Sequence, residues 1–128
     1  MPSPLWRLAV RSEFSAAHAL RHYQGKCEAL HGHNFSVELV VEGEKLTPDT
    51  ELLMDFKEVK AKLKVALEQL DHHDLGQIPY FGERNPSSEN IAAWIYKTLQ
   101  PEFAGSPVRL VSVSVSEKAA QTATYMEI

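Results

Sequence analysis

Apolar and polar residues alternate in two separate runs near the start of the chain. In residues 5–18, one parity carries the apolar side chains Trp6, Leu8, Val10, Phe14 and Ala16. In residues 31–42, the apolar parity is shared by Phe35, Val37, Leu39 and Val41. A period of two is the pattern of a strand with one buried face. The two runs therefore predict two half-buried strands.

Apolar residues then recur at helical spacing, beyond a polar loop over residues 44–49. Asp55 is a predicted N-cap, and Glu58 follows three residues later in the capping-box arrangement. The apolar stripe consists of Phe56, Val59, Leu63, Ala66, Leu67 and Leu70. Because the stripe stops there and Gly76 and Pro79 follow, a first helix is predicted to end near residue 70.

A second helix is predicted to start near Ser87 or Ser88 and to run to about Gln100, with Pro101 as its stop signal. Its predicted buried face consists of Ile91, Trp94, Ile95 and Leu99. Two further strands follow. The first is VRLVSVSVSE, whose valines alternate with serines, and the second is ATYMEI.

The element order β-β-α-α-β-β contains no βαβ alternation. It predicts an α+β domain over residues 1–128, with a four-stranded antiparallel sheet and two helices on one face. The length of 128 residues suits one domain with one core.

Composition narrows the class of protein. Apolar residues make up 44% of the chain and charged residues 23%, as in ordinary globular domains. The net charge of -4 argues against a general nucleic-acid binder, which usually has a basic face. No apolar run approaches the roughly 20 residues of a membrane span, and MPSPLWRLAVRS lacks the apolar core of a secretory leader. A single cysteine cannot form an intramolecular disulfide, so a cytoplasmic location is expected.

Three histidines are predicted to converge at one end of the first strand pair. His18 continues the apolar parity of the first strand, and His31 and His33 share the parity of Phe35. If the strands pair antiparallel, the end of the first meets the start of the second. Three neutral imidazoles suit Zn²⁺ and leave a fourth position open, as in catalytic zinc sites. The alternatives are a polar strand start, or a structural zinc with Cys27 as the fourth ligand.

Cys27 is otherwise a candidate catalytic base or nucleophile, because a thiolate near a cation has a lowered pKa. The alternative is a small buried apolar residue. Its neighbours along the chain are polar, which argues against burial in a core.

Asp71 and His72, in LDHHDLG, follow the first predicted helix. An aspartate beside a histidine can orient the imidazole for proton transfer. The alternative is a histidine favoured at a helix C-terminus by the helix dipole alone. Glu89 is either a first-turn acid or a binding residue. Glu117, at a strand end, is either solvated or paired with the N–H edge of an amino-pyrimidinone.

With these residues in hand, the chain resembles the 6-pyruvoyl-tetrahydropterin synthase superfamily over essentially its whole length. The matching pieces are FSAAH, CEALHGHNF, MDF, LDHHDL, NPSSEN and SEKAAQTATY. The spacing C-x-x-x-H-G-H is similar to that of the 6-carboxy-5,6,7,8-tetrahydropterin synthase branch, which serves queuosine and deazapurine biosynthesis. The pyruvoyl-forming branch typically has a longer spacing.

The resemblance implies a reaction and a set of roles. The implied substrate is 7,8-dihydroneopterin triphosphate, converted to 6-carboxytetrahydropterin with release of acetaldehyde and triphosphate. The implied zinc ligands, with one zinc per subunit, are His18, His31 and His33. Cys27 matches the catalytic thiol, Asp71 and His72 match the relay pair, and Glu117 matches the glutamate that anchors the pterin.

The family's T-fold builds barrels between subunits, often as homohexamers made of two trimers. Sites at subunit interfaces are therefore implied, with Ser87, Ser88 and Glu89 as candidate substrate-binding residues for a neighbour's pocket. Two positions depart from the usual pattern: Lys118 and Ser87 each stand where threonine is common. The alternatives are formation of the pyruvoyl product, cleavage of another pterin's side chain, and a non-catalytic, zinc-stabilised pterin-binding protein. A further alternative is a metal-dependent hydrolase, for which Glu28 is the one glutamate near HGH that could act as a base.

Overall fold

The computed structural model describes residues 1–23, residue 25 and residues 29–128. The elements in chain order are β1 (Trp6–His18), β2 (His31–Gly43), α1 (Phe56–Glu68), β3 (His73–Asp74), α2 (Ser88–Phe103), β4 (Arg109–Lys118) and β5 (Gln121–Tyr125). Two short 3₁₀ turns, Leu75–Gln77 and Pro79–Phe81, connect β3 to the approach to α2. The predicted α+β class with two helices is confirmed.

Within the described residues, the sheet has five strands in the order β3-β1-β2-β4-β5, so the prediction of four strands was wrong. The four long strands pair antiparallel, whereas β3 pairs parallel with β1. Only two residue pairs join β3 to β1, Ala16 with His73 and Ala17 with Asp74. A strand of two residues is too short to show an alternating pattern, which is why the sequence did not indicate it.

One core lies between the sheet and the two helices. The inward parity of β2 is fully buried, from Phe35 through Val37 and Leu39 to Val41. From the helices, the core receives Val59, Leu63, Ala66, Leu67, Ile91, Ile95, Leu99 and Phe103. Burying a side chain of this size stabilises the fold by roughly 1.5–3 kcal/mol. A slip of one residue would turn this whole set outward, so burial fixes the register of the strands.

Both helices start where predicted and Asp55 is the N-cap of α1, but Phe56 and Pro101 differ from the prediction. Asp55 caps α1 by accepting from the Lys57 N–H at 2.9 Å, and Ser87 caps α2 by accepting from the Asn90 N–H at 3.2 Å. Phe56 begins α1 but is 49% exposed, so it is not part of the buried stripe. Helix α2 continues through Pro101 to Phe103, because the Phe103 side chain belongs to the core.

The register of β1 on β2 positions the histidines. His18 lies opposite His31, and Ala16 lies opposite His33. Among the described residues, no helix is both long and apolar enough to cross a membrane.

Candidate functional site

The predicted histidine cluster is present. One ligand nitrogen from each of His18, His31 and His33 can be chosen so that all lie within 4.8 Å of one another. His18 ends β1, and the other two histidines lie on alternate positions at the start of β2. The centroids of the His18 and His31 rings are 4.6 Å apart, and those of His31 and His33 are 4.8 Å apart.

Backbone carbonyls orient two of the rings. His18 Nδ1 lies 2.7 Å from the Pro86 carbonyl oxygen, and His31 Nδ1 lies 2.7 Å from the Ala29 carbonyl oxygen. Because a carbonyl only accepts hydrogen bonds, each Nδ1 carries the hydrogen. The Nε2 lone pair of each neutral ring is then available to a metal, as in most histidine metal sites.

The most buried ring shows the clearest fit to a metal. His18 is 1% exposed, and among the described residues its Nε2 has no hydrogen-bond partner. Burial lowers the pKa of His18 below its usual value, against the opposing effects of the Pro86 carbonyl and the Glu117 carboxylate. A neutral ring with a buried, unpaired nitrogen lone pair is suited to coordinate a divalent cation. The residues present therefore fit a metal.

Glu117 lies directly against this cluster. Its Oε1 is 3.3 Å from His18 Nε2, and its Oε2 is 3.5 Å from His33 Nε2. Ser88 Oγ donates to Oε1 at 3.4 Å. This contact with the histidines was not predicted from the sequence. The available signal was parity, because Glu117 continues the buried face of Val113 and Val115.

A cavity of about 300 Å³ opens beside Glu117. All the candidate substrate-binding residues line it: Ser87, Ser88, Glu89 and Glu117. The remaining lining residues include Leu20, Tyr23, Gln121 and Thr122. Glu89 also lies in the first turn of α2, where the helix dipole favours an acidic side chain. The structure therefore shows both the helix-start position and the cavity position that were expected for Glu89. The cavity size is at the lower end for small-molecule sites.

Asp71 and His72 lie at the edge of the sheet, where β3 meets β1. Asp71 Oδ2 is 3.5 Å from His72 Nε2, so the expected contact between them is present. His72 has a φ of 59°, which non-glycine residues rarely adopt outside constrained turns. The His72 side chain is 81% exposed.

Among the described residues, the predicted relay pair lies outside the histidine cluster but shares an open groove with it. Among the described residues, the group of converging metal-ligand atoms does not include Asp71 or His72. His72 and His33 do line a common open groove along the edge of the sheet. Cys27 lies outside the described residues, so its role stays a prediction.

Comparisons with known proteins agree with this geometry. The family described as 6-pyruvoyl tetrahydropterin synthase matches residues 7–128. A Synechocystis 6-carboxy-5,6,7,8-tetrahydropterin synthase is 39% identical over 94% of this chain and 93% of its own length. A Pyrococcus furiosus dihydroneopterin monophosphate aldolase is 38% identical over 87% of this chain and 89% of its own.

The fold comparison points the same way. The structure of Caenorhabditis elegans 6-pyruvoyl tetrahydropterin synthase superposes with a TM-score of 0.86 and 25% sequence identity. The match covers 100% of this chain and 99% of that one. The resemblance inferred from the sequence motifs is thus confirmed, and the chain belongs to the 6-pyruvoyl tetrahydropterin synthase family.

Proposed function

We propose that the protein is a zinc-dependent 6-carboxy-5,6,7,8-tetrahydropterin synthase of queuosine or deazapurine biosynthesis. Its substrates would be 7,8-dihydroneopterin triphosphate and one water molecule, and its products 6-carboxytetrahydropterin, acetaldehyde and triphosphate. Proteins of this family are lyase-type enzymes that act on pterins. The observation that carries the proposal is that Glu117 both contacts the histidine cluster and lines the adjacent cavity.

Glu117 supplies a carboxylate where a pterin could be recognised. The amino-pyrimidinone edge of a pterin presents neighbouring N–H donors, which two carboxylate oxygens can accept together. Ser88 Oγ already donates to one of these oxygens and restrains the carboxylate. A pterin held on Glu117 would extend its side chain toward His18, His31 and His33.

The histidines would hold one zinc ion per subunit through nitrogen lone pairs. When bound, zinc supplies Lewis acidity to the oxygen atoms of the substrate side chain. The Pro86 and Ala29 carbonyls keep the rings of His18 and His31 in the tautomer that presents Nε2. The burial of His18 excludes water from one side of the cluster.

Two groups are proposed to move protons. The Cys27 thiolate would take a carbon-bound proton from the substrate side chain, and His72, oriented by Asp71, would transfer protons on the opposite face. Acid–base catalysis of this kind contributes about 10²–10⁴-fold to a rate. Since the His72 ring is 81% exposed in a single chain, we propose that a neighbouring subunit covers it, within a homohexamer.

The relatives support a second candidate reaction. The similar Pyrococcus furiosus protein is a dihydroneopterin monophosphate aldolase, so the second candidate reaction for this chain is release of the side chain from a monophosphate substrate. Formation of 6-pyruvoyltetrahydropterin and non-catalytic pterin binding remain further alternatives.

Product identification tests the proposal. Zinc-loaded protein would be incubated separately with 7,8-dihydroneopterin triphosphate and with the monophosphate. Mass spectrometry would identify the pterin product, and a coupled assay would measure acetaldehyde. We expect carboxytetrahydropterin and acetaldehyde from the triphosphate. A pyruvoyl product, or turnover of the monophosphate alone, would contradict the assigned reaction, and no turnover would favour the binding protein.

A further inference from the structure

The contact between Glu117 and the histidine cluster has an unusual chemistry. Its two carboxylate oxygens face Nε2 of two different rings, His18 at 3.3 Å and His33 at 3.5 Å. In His18 the hydrogen is on Nδ1, because Nδ1 points at the Pro86 carbonyl. Nε2 of the neutral ring then presents a lone pair to a carboxylate oxygen. Two acceptors in contact repel each other unless a cation lies between them.

The Nε2 atom of His18 lies in a buried environment. His18 is 1% exposed, and among the residues that the structure describes its Nε2 makes no hydrogen bond. Leaving a buried polar atom unpaired destabilises a folded protein. A divalent cation bound by the three histidines would satisfy this nitrogen and attract the carboxylate.

A carboxylate oxygen is also a common fourth ligand for a metal held by imidazoles. Glu117 reaches the cluster from β4, on the inward parity of that strand, and is only 21% exposed. Ser88, at the start of α2, donates to Oε1 and limits the freedom of the side chain. The carboxylate is therefore held beside the nitrogen ligands from two directions.

We propose that Glu117 is the fourth protein ligand of the metal when no pterin is bound. This inference rests on the proposed function, since it requires that the histidine cluster holds a metal. Glu117 also lines the cavity, so a pterin that pairs with the carboxylate would withdraw it from the metal. The coordination position needed by the substrate side chain then opens only when a pterin ring has been recognised.

Cobalt binding tests the inference without relying on turnover. The metal-free protein, the Glu117→Gln variant and the Glu89→Gln control would be titrated with Co²⁺, recording visible absorption. Glu89 lines the same cavity, but among the described residues it is not part of the group formed by His18, His31 and His33. We expect Glu117→Gln to raise the Kd at least about tenfold, as loss of ligand-sphere groups usually does. Its visible spectrum should also change, because water replaces the carboxylate, while Glu89→Gln should match the wild type.

Several results would overturn the inference. An unchanged Kd and spectrum in Glu117→Gln would mean that Glu117 only pairs with protonated rings in the metal-free protein. A raised Kd with an unchanged spectrum would show a through-space charge effect and no ligation. A near-ultraviolet thiolate-to-cobalt band that disappears in Cys27→Ala would identify Cys27 as the fourth ligand.

A second measurement does not depend on the variant folding. Unsubstituted pterin, which has no side-chain hydroxyl, would be added to the wild-type protein loaded with Co²⁺. We expect the visible spectrum to change as Glu117 leaves the metal, and an unchanged spectrum in the presence of bound pterin would contradict the inference. If the wild type binds no Co²⁺ at all, the proposed metal function itself fails. If it binds metal and turns over substrate while Glu117→Gln binds equally well, only the inference fails.

Discussion

The backbone of Ser15 forms hydrogen bonds with both residues of the proposed relay, Asp71 and His72. Its N–H donates to Asp71 Oδ1 at 2.8 Å, and its carbonyl accepts from the His72 N–H at 2.6 Å. These bonds anchor the turn after α1 to β1 and stabilise the left-handed conformation of His72. Asp71 thus has a structural contact through one oxygen and contacts the His72 ring through the other.

Asp71→Asn should separate these two contacts. The amide oxygen can still accept from Ser15, whereas the negative charge beside His72 is lost. We expect a fall in kcat of about 10²-fold, at the lower end of acid–base contributions, with Tm unchanged. Steady-state kinetics and thermal unfolding would be measured, with Asp55→Asn as the control because the Asp55 side chain caps α1 by accepting from the Lys57 N–H. Equal kcat values for the two variants would remove Asp71 from the relay.

Cys27→Ala tests the role of the thiol. If Cys27 is a base, the variant should keep its zinc and lose turnover, by about 10²–10⁴-fold. Zinc content by elemental analysis and activity would be measured on the same preparation. Loss of zinc together with turnover would instead favour Cys27 as a structural ligand.

At the scale of elements, the β1–β2 pair assembles the candidate metal half of the proposed site. The alternation of side chains along β1 and β2 puts the three histidines on the inward face, and the antiparallel pairing of these strands puts His18 opposite His31. These features follow from a period of two and were predictable from sequence. The parallel strand β3 was not, because it consists of two residues and depends on tertiary pairing with Ala16 and Ala17. The Glu117 contact was also missed, since it needs the register of β4 on β2.

Phe35→Ala should destabilise the fold and loosen the cluster. Phe35 is fully buried, stacks on Phe14 at 4.9 Å and meets the His18 ring edge-on at 5.2 Å. We expect a loss of roughly 3–5 kcal/mol in the free energy of unfolding, measured in urea on the metal-free protein. Val65→Ala on the exposed face of α1 is the control and should change little. A small effect for Phe35→Ala would mean that the core collapses around the missing ring.

Glu42 joins three strands at the opposite end of the sheet. It contacts Arg7 of β1 at 3.0 Å and also pairs with Arg109 of β4. Burial acts to raise the pKa of Glu42, but the two guanidinium groups outweigh it, and the net pKa lies below the usual 4.5. A lowered pKa in the folded state favours folding above the unfolded-state pKa, and this contribution is lost as the pH falls through the folded value.

Glu42→Gln should therefore be less stable than the wild type at neutral pH. The difference in free energy of unfolding should shrink as the pH is lowered below 4.5, because the wild-type carboxylate becomes protonated. Urea unfolding across this range would measure it. A difference independent of pH would show that the ion pairs do not cause the stabilisation.

At the scale of the whole molecule, the two halves of the proposed site are different groups of residues, although His72 and His33 line one open groove of a single chain. The histidines and Glu117 share one cluster, and the exposed His72 ring lies on the edge formed by β3 and β1. We propose that assembly brings the relay of one subunit to the metal half of its neighbour.

Subunit mixing tests this arrangement. His33→Ala and His72→Ala would each be inactive alone. Random mixed oligomers should recover activity at about one quarter of the sites, because those sites combine one intact half from each variant. Activity of re-assembled mixtures would be compared with the separate variants. No recovery in mixtures shown to exchange subunits would place both halves in one chain.

The central claim is that the three histidines hold a metal that serves chemistry and not folding. The most direct measurement is removal of zinc from purified protein, with zinc content, circular dichroism and turnover of 7,8-dihydroneopterin triphosphate followed on one sample. We predict about one zinc per subunit before removal, loss of turnover with the fold retained after it, and recovery when zinc is restored. Unfolding on removal, or full turnover without metal, would contradict the account.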